Sequence, residues 1–104
     1  MITTEKKQQL QKSIDAMPRT KILVIGDIML DEYVWSQVKR ISPEAPVPIA
    51  SVTGVSYFLG GAANVANNAR ALDAEVTLMG VVGDDSEGEK IYELLKEKGI
   101  EYSG

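Results

Sequence analysis

Residues 21–31 of this chain read KILVIGDIMLD, and this stretch decides the fold. Its continuous aliphatic run, closed by Gly26, is typical of a strand that is buried on both faces in a parallel sheet. A second run of this kind covers residues 75–82 and ends at Gly83. Helical periodicity separates the two runs, and strands that alternate with helices predict a parallel sheet. The predicted fold class is therefore α/β.

The segments around these strands predict three helices. Polar residues with one apolar face predict a leading helix over residues 5–16. The Gly60-Gly61 pair opens a helix in which small residues recur at spacings of three and four. Ser86 and Glu89 form the pattern of a capping box, so a last helix is predicted to begin there and to stop at Gly99. A third strand is expected directly after this stop.

Two further segments, residues 33–38 and 47–55, alternate apolar and polar side chains. This pattern predicts strands that are covered on only one face. Between them, three prolines within residues 40–48 exclude helix and favour a rigid loop. The chain is thus predicted to contain a leading helix (5–16), an α/β core (21–31 and 60–104) and lid strands with their loop (32–58).

Composition excludes several classes of function. The chain has 104 residues, 15 of them acidic and 11 basic, and its net charge of −4 without a basic face disfavours nucleic acid as a partner. It has no cysteine or histidine, which excludes disulfides, thiolate catalysis and the usual general base. The N-terminus has no secretory h-region, and the purely apolar run of residues 22–25 is too short for a bilayer. A cytoplasmic location without a membrane partner is expected.

Polar residues and glycines converge on one predicted edge of the sheet. In open α/β sheets, ligands bind outside the carboxyl ends of the strands, where Asp27 and Asp31 follow the first strand. Gly60, Gly61 and Asn64 lie at a helix start, where backbone N–H groups and an amide side chain can bind hydroxyl groups. Carboxylates accept hydrogen bonds from hydroxyls, and glycines allow close approach to the backbone. A polyhydroxy ligand suits this mixture.

Each of the polar residues also has a structural explanation. Asp27 and Asn64 could cap a turn or a helix, and Asp31 could be a solvated loop carboxylate. The Asp84-Asp85 pair is better explained by capping of the last helix. Arg40, with Lys39 beside it, could reach a phosphate group or simply be solvated.

Three aromatic residues of the lid segment are open to more than one interpretation. They could cover a ligand, lie at a subunit interface or pack in an ordinary core, since aromatic side chains on one-sided strands must be buried against something. These residues are Tyr33, Trp35 and Tyr57.

Three motifs in order resemble the opening of the ribokinase-like carbohydrate kinases, the PfkB family. They are residues 23–31, the glycine pair with Asn64, and residues 80–85, which read GVVGDD. The resemblance covers nearly all of the chain after residue 20. It implies a ribokinase-like three-layer α/β/α fold with a parallel central sheet and a small β-strand lid, of which this chain is the N-terminal part. Lids of this family often meet in a homodimer.

Within that family, residues 26–31, 40–48 and 60–66 are similar to heptose 7-phosphate kinases that are joined to a heptose-1-phosphate adenylyltransferase in lipopolysaccharide biosynthesis. The resemblance implies transfer of the ATP γ-phosphoryl group to the C1 hydroxyl of D-glycero-D-manno-heptose 7-phosphate. It also implies that Asp31 and Asn64 hold sugar hydroxyls over a floor formed by Gly60 and Gly61. The candidate substrate-binding residues are Asp27, Asp31, Arg40, Gly60, Gly61 and Asn64.

The sequence also departs from the family pattern. Leu59 stands where the family has proline before the glycine pair, and Asp73 stands where it has glycine. The Gly-Ala-Gly-Asp motif that supplies the family's catalytic base and anion hole is absent, as is the adenosine pocket. We therefore expect no catalytic, cofactor-binding or metal-binding residue in this chain and no turnover by it alone, while ATP and Mg²⁺ would serve the full-length protein.

Two alternatives stay open at the level of sequence. The first is a kinase of the same family that acts on another sugar or on a nucleoside. The second is a non-catalytic module for sugar binding or dimerisation. A dinucleotide-binding half is disfavoured, because glycine does not recur at the required spacing after the first strand.

Overall fold

The computed structural model describes residues 1–45 and 47–104, and for Lys39, Arg40 and Pro48 it describes the backbone alone. A 3₁₀ turn (Met17–Arg19) follows the first helix. The other elements, in chain order, are α1 (Thr4–Ala16), β1 (Lys21–Ile25), β2 (Ile28–Ile41), β3 (Pro48–Gly61), α2 (Ala62–Ala71), β4 (Glu75–Met79), α3 (Ser86–Lys98) and β5 (Glu101–Ser103).

Three of the strands form a parallel sheet in the order β1-β4-β5. β1 pairs with β4 from Lys21 opposite Glu75 to Ile25 opposite Met79, and β4 continues the pairing with β5. The parallel sheet and the third strand are confirmed. Because β1 and β4 are neighbours in the same direction, their carboxyl ends lie side by side.

The core lies between this sheet and the helices α2 and α3. Ala63 and Ala66 of α2 are fully buried, and their small side chains let the helix approach the sheet closely. They pack with Val76 and Leu78 of β4 and with Leu95 of α3 in one apolar cluster. Since all of these residues belong to one cluster, both helices cover the same face of the sheet.

The opposite face of the sheet is uncovered in the described part of the chain. Leu23 and Ile25 of β1 alternate with the half-buried Ile22 and Val24, and they are 54% and 68% exposed. Met79 of β4 is on the same side as Ile25, its partner in the ladder. The prediction that β1 is buried on both faces is therefore wrong for this chain, because α2 and α3 lie on the same side.

β2 and β3 form a separate antiparallel ribbon, called the lid ribbon below. Its pairing runs from Ile28 opposite Gly61 at the root to Ile41 opposite Pro48 at the tip. Both strands have 14 residues and are longer than predicted, because the ladder continues from the lid to the core boundary. The radius of gyration is 19.6 Å, compared with about 13 Å for a compact domain of this length, since the ribbon projects from the core.

The helix boundaries largely follow the predictions. Asp85 caps α3, because its carboxylate accepts a hydrogen bond of 2.8 Å from the backbone N–H of Gly88. The capping box with Ser86 as the cap is wrong, since the Ser86 hydroxyl instead donates to the Glu87 carboxylate. Gly99 ends the helix in the left-handed conformation, as predicted. In the described residues, no helix combines the length and the apolar character that are needed to cross a membrane.

Asp73, which replaces a glycine of the family pattern, lies in the left-handed region with φ at 72°. It follows α2 and joins that helix to β4. Aspartate adopts this conformation more readily than most residues, because its short polar side chain can hydrogen-bond locally. The turn therefore keeps the backbone conformation for which a glycine is otherwise suited.

Candidate functional site

A cleft of about 540 Å³ lies at the carboxyl ends of β1 and β4. The link between β1 and β2 forms one wall, and Gly80 with Val81 after β4 forms the other. Met29, the second residue of β2, also lines the cleft. The cleft therefore lies where ligands bind to open α/β sheets, between the core and the root of the lid ribbon.

The turn at Gly61 joins the lid ribbon to α2. Gly61 has φ +58° and ψ −134°, a combination that is restricted to glycine for steric reasons. The next residue, Ala62, donates its backbone N–H to the carbonyl oxygen of Asp27 at 2.7 Å. A β-carbon on Gly61 would overlap this same carbonyl oxygen. The glycine thus lets the start of α2 bind directly to the cleft wall at Asp27.

Asp31 lies on β2 with its carboxylate against Gly60 of β3. A β-carbon at Gly60 would be only 2.5 Å from Oδ2 and 2.9 Å from Cγ of Asp31. Gly60 pairs with Met29, which lines the cleft, and Asp31 follows Met29 by two residues. Met29 and Asp31 therefore share one face of the ribbon, and the carboxylate lies beside a backbone that carries no side chain.

Replacing Gly60 by alanine is expected to displace the Asp31 carboxylate, because the new β-carbon would lie 2.5 Å from its Oδ2. A polyhydroxy ligand at this carboxylate should then bind about tenfold more weakly, since one hydrogen bond to a charged group is lost. Asp31 is exposed and can turn away, so the free energy of unfolding should change much less. Calorimetric titration with a polyhydroxy ligand measures the first effect, and urea denaturation measures the second. Gly54→Ala on the same ribbon is the control, since the space around its β-carbon is open. Unchanged affinity in Gly60→Ala would contradict a role for Asp31.

The structure places Asn64 and Arg40 apart from this group. Asn64 lies in the first turn of α2 and lines a different cavity of about 200 Å³, together with Leu94 and Lys98 of α3. The backbone of Arg40 pairs with Ile49 near the ribbon tip, nine residues or about 30 Å along the strand from Asp31. Its side chain lies outside the described residues. The structure thus brings together Asp27, Asp31, Gly60 and Gly61, and the binding roles of all six residues stay predictions.

The lid aromatics divide between the two faces of the ribbon. Tyr33 and Trp35 lie on the face of Asp31, and they are 51% and 56% exposed, which excludes core packing for both. Tyr57 pairs with Glu32 on the opposite face, where the ammonium group of Lys90 lies 4.1 Å from the centre of its ring. Tyr57 therefore contacts α3 and does not face the side of Asp31.

Phe58 and Met29 also lie on the face of Asp31, although neither is among the predicted site residues. Phe58 is directly opposite Asp31 in the ladder, and Met29 connects Asp31 to the cleft. The alternation of residues along β2 could have indicated Met29. Phe58 could not have been found in this way, because its position depends on the register between the two strands.

Tyr102 of β5 supports the far wall of the cleft. Its hydroxyl donates a hydrogen bond of 2.7 Å to the carbonyl oxygen of Gly80. Desolvation by burial raises the pKa of Tyr102, and the neighbouring Tyr92 acts in the same direction. The hydroxyl therefore stays protonated as a donor at neutral pH, and its contribution to stability is lost only when alkaline pH rises through the raised pKa.

Residues 1–45 and 47–104 contain no group of three or more Asp, Glu, His or Cys side chains that is placed to hold a metal ion. The carboxylates of the site come from separate positions of the β1-β2 link and the lid ribbon, and each of them can accept hydrogen bonds from hydroxyl groups.

Comparison with known proteins places these features in a family. The family model described as "pfkB family carbohydrate kinase" matches residues 19–104 of this chain. The bifunctional protein HldE of Helicobacter pylori is 58% identical over 84 residues, which cover 81% of this chain and 18% of that protein. The D-beta-D-heptose 7-phosphate kinase of Bordetella bronchiseptica is 50% identical over 90 residues, which cover 86% of this chain and 29% of the relative.

A solved structure supports the same assignment. The chain matches a carbohydrate kinase from Agrobacterium tumefaciens with a TM-score of 0.60 and 26% sequence identity. The match covers 81% of this chain and 26% of the solved one. The predicted ribokinase-like α/β fold class is thus confirmed, and the matched region covers between 18% and 29% of the length of these proteins.

Proposed function

Because this chain belongs to the pfkB family of carbohydrate kinases, we propose that it forms the sugar-binding part of an ATP-dependent kinase for D-glycero-D-manno-heptose 7-phosphate, which is phosphorylated at its C1 hydroxyl. The observation that carries this proposal is the Asp31 carboxylate against Gly60 beside the cleft. The choice of sugar is supported by the heptose 7-phosphate kinase of Bordetella bronchiseptica, which is 50% identical in the matched region.

The chemistry of the site suits a polyhydroxy ligand. An ionised carboxylate at Asp31 accepts hydrogen bonds from two hydroxyl groups at once. The missing side chains of Gly60 and Gly61 leave room for the Asp31 carboxylate and for the Asp27 carbonyl oxygen, so these acceptor groups lie close to the backbone. Asp27 adds a second exposed carboxylate on the cleft wall while its carbonyl oxygen is bound to Ala62. The cleft volume falls within the range of small-molecule sites, about 300 to 1,000 Å³.

In this proposal, ATP supplies the phosphoryl group and Mg²⁺ neutralises the charge of its phosphates. The described residues do not fit such a site, since they include no carboxylate cluster that could hold the metal. The sequence also lacks a Gly-Ala-Gly-Asp motif. We therefore assign the nucleotide and metal sites to a part of the kinase outside this chain and derive no catalytic step through them. The kinase would act in the cytoplasm, in the supply of ADP-heptose for lipopolysaccharide.

We also propose that the lid ribbon joins two copies of the protein in a homodimer. The face opposite Asp31 carries valines that the ladder places together, and each of them is about half exposed or more. A two-stranded ribbon is marginally stable alone, and an exposed aliphatic face of this kind marks an interaction surface. The valine face consists of Val34, Val38, Val52 and Val55.

The dimer proposal is tested by a charge on the valine face. Val34→Lys with Val55→Lys should convert a dimer into a monomer in analytical ultracentrifugation, because two like charges would then meet across the interface and lose their hydration. Glu93→Lys on the exposed surface of α3 is the control and should leave the assembly unchanged. If the wild-type chain and the double variant sediment alike, the ribbon does not hold the dimer.

The kinase proposal needs a chain that is complete enough to turn over. A chimera in which this chain replaces the matched 90 residues of the Bordetella kinase should phosphorylate heptose 7-phosphate, as measured by ADP release. Fructose 6-phosphate and ribose serve as competing substrates. Calorimetric titration of the 104-residue chain with the same sugars and with ATP measures binding without turnover, and selective binding of heptose 7-phosphate is the expected result.

The other outcomes separate the alternatives. If the chimera and the 104-residue chain both preferred another sugar or a nucleoside, the chain would belong to a different branch of the same family. Binding of ATP without any sugar would show that the proposed site is placed wrongly. Absence of binding to the chain together with an inactive chimera would favour the non-catalytic module.

A further inference from the structure

One side of the lid ribbon carries a continuous row of side chains from the cleft outward. Met29 lines the cleft, Asp31 follows two residues later, and Tyr33 and Trp35 come next on the same face. Phe58 is directly opposite Asp31 in the ladder and completes this row. We call Tyr33, Trp35 and Phe58 the aromatic face. The aromatic face continues the proposed sugar site outward from Asp31. Neighbouring residues on this face are about 7 Å apart, because two residues along a strand span that distance.

The Tyr33 ring lies beside both of the other rings. The centre of the Tyr33 ring is 5.0 Å from that of Phe58 and 6.4 Å from that of Trp35. The Trp35 ring is further fixed by a hydrogen bond of 2.9 Å from its Nε1 to the hydroxyl of Ser56. Rings that hold one another in this way lose little conformational freedom when a ligand binds, so the surface is preorganised.

The aromatic face is nevertheless open to solvent. Phe58 is 49% exposed, similar to Tyr33 and Trp35, although all three carry large apolar surfaces. The other face of the ribbon differs in chemistry, because its described residues include the valines, and its aromatic residue Tyr57 is half-buried beside Lys90 of α3. Aromatic rings next to a carboxylate suit an amphipathic ligand, whereas aliphatic side chains alone suit a protein surface.

A sugar ring is such an amphipathic ligand. Its hydroxyl groups project around the ring, while its C–H bonds form apolar surfaces with partial positive charge. The face of an aromatic ring carries partial negative charge and attracts such groups. Asp31 can accept the hydroxyls at one side of a sugar, and the rings of Phe58 and Tyr33, within about 7 Å, can contact its C–H surface.

We propose that Tyr33 and Phe58 form a stacking surface for the sugar that Asp31 binds, with Trp35 holding Tyr33 in place. This inference rests on the proposed function and adds specificity residues to it. The stacking surface selects a ligand with a broad C–H surface. The two faces of the ribbon then bind different partners: the aromatic face binds the sugar, and the valine face binds a second copy of the chain.

Trp35 provides a direct probe, because it is the single tryptophan of the chain. The 104-residue chain is titrated with heptose 7-phosphate, and both the heat of binding and the Trp35 emission are recorded. The expected result is a saturable change in emission with the same midpoint as the heat. Tyr33→Ala and Phe58→Ala should each weaken binding roughly fivefold to tenfold, as expected for loss of one aromatic contact. Tyr33→Phe keeps the ring and should retain wild-type affinity.

The outcomes distinguish this inference from the proposed function. Heat of binding that is abolished by Asp31→Ala but unchanged by Tyr33→Ala and Phe58→Ala would overturn the stacking surface and leave the sugar site intact. Absence of heat with the wild-type chain would overturn both. Dissociation of a dimer by Tyr33→Ala, measured by ultracentrifugation, would assign the aromatic face to a second copy and would also overturn the inference. Circular dichroism confirms that each variant is folded.

Discussion

Replacing Asp31 by alanine is expected to lower the affinity for heptose 7-phosphate about 100-fold or more, since two hydrogen bonds to a charged group contribute at least about 3 kcal/mol together. The carboxylate is exposed in the free protein, so its loss should leave the free energy of unfolding nearly unchanged. Calorimetric titration of the chain measures the affinity, and the chimera with the Bordetella kinase shows whether turnover falls in parallel.

The adjacent carboxylate provides a matched control for this variant. Glu32 is exposed on the same strand but faces the opposite side of the ribbon, where it pairs with Tyr57. Glu32→Ala removes the same charge one residue away and should leave the affinity within about twofold of wild type, because this exposed carboxylate faces away from the site and acts on it only weakly through water. An equal loss in both variants would mean that general charge, and not the position of Asp31, governs binding.

Gly61→Ala is expected to destabilise the fold by at least about 2 to 3 kcal/mol, because alanine is strained at this φ and ψ. Its β-carbon would also overlap the carbonyl oxygen of Asp27, which accepts the first hydrogen bond of α2. This loss is a large part of the roughly 5 to 15 kcal/mol that stabilises a small domain. Urea denaturation followed by circular dichroism measures it.

Gly54→Ala separates this effect from the general cost of replacing glycine. Gly54 also lies in β3, but it has no positive φ and no atom near the position of its β-carbon. The free energy of unfolding of the Gly54→Ala variant should stay within about 1 kcal/mol of that of the wild type. If the two variants were equally stable, the strain and the overlap at Gly61 would be relieved by backbone movement.

The order and type of the elements could be predicted because each rests on a local pattern. The aliphatic run at Lys21–Ile25 and the small-residue periodicity of α2 are visible without any knowledge of their neighbours. The length of the lid strands could not be predicted in this way. Asp31 and the glycine pair are poor strand formers, yet they belong to the ladder because their partners on the other strand hold them there.

The site could be predicted in part for the same reason. That Asp27 and Asp31 lie near the carboxyl end of β1 follows from chain order alone. That Asp31 lies against Gly60 and opposite Phe58 depends on the register of the ribbon. Two irregularities in the ladder, after Trp35 and after Val38, shift that register, and no residue pattern in the sequence indicates them. Because the register also decides which face of the ribbon Tyr33 and Tyr57 lie on, the sequence could not show that the two side chains lie on opposite faces.

The lid ribbon is also a lever. Each of its strands has 14 residues, so the tip lies about 45 Å from the root when the strands are extended. A rotation of about 5° at the root would move the tip by about 4 Å, as follows from that length. At the root, Gly61 and the hydrogen bond from Ala62 to Asp27 join the ribbon to the core, and Asp27 lines the cleft. A small rotation at this junction beside the cleft would therefore be amplified at the tip by the length of the ribbon.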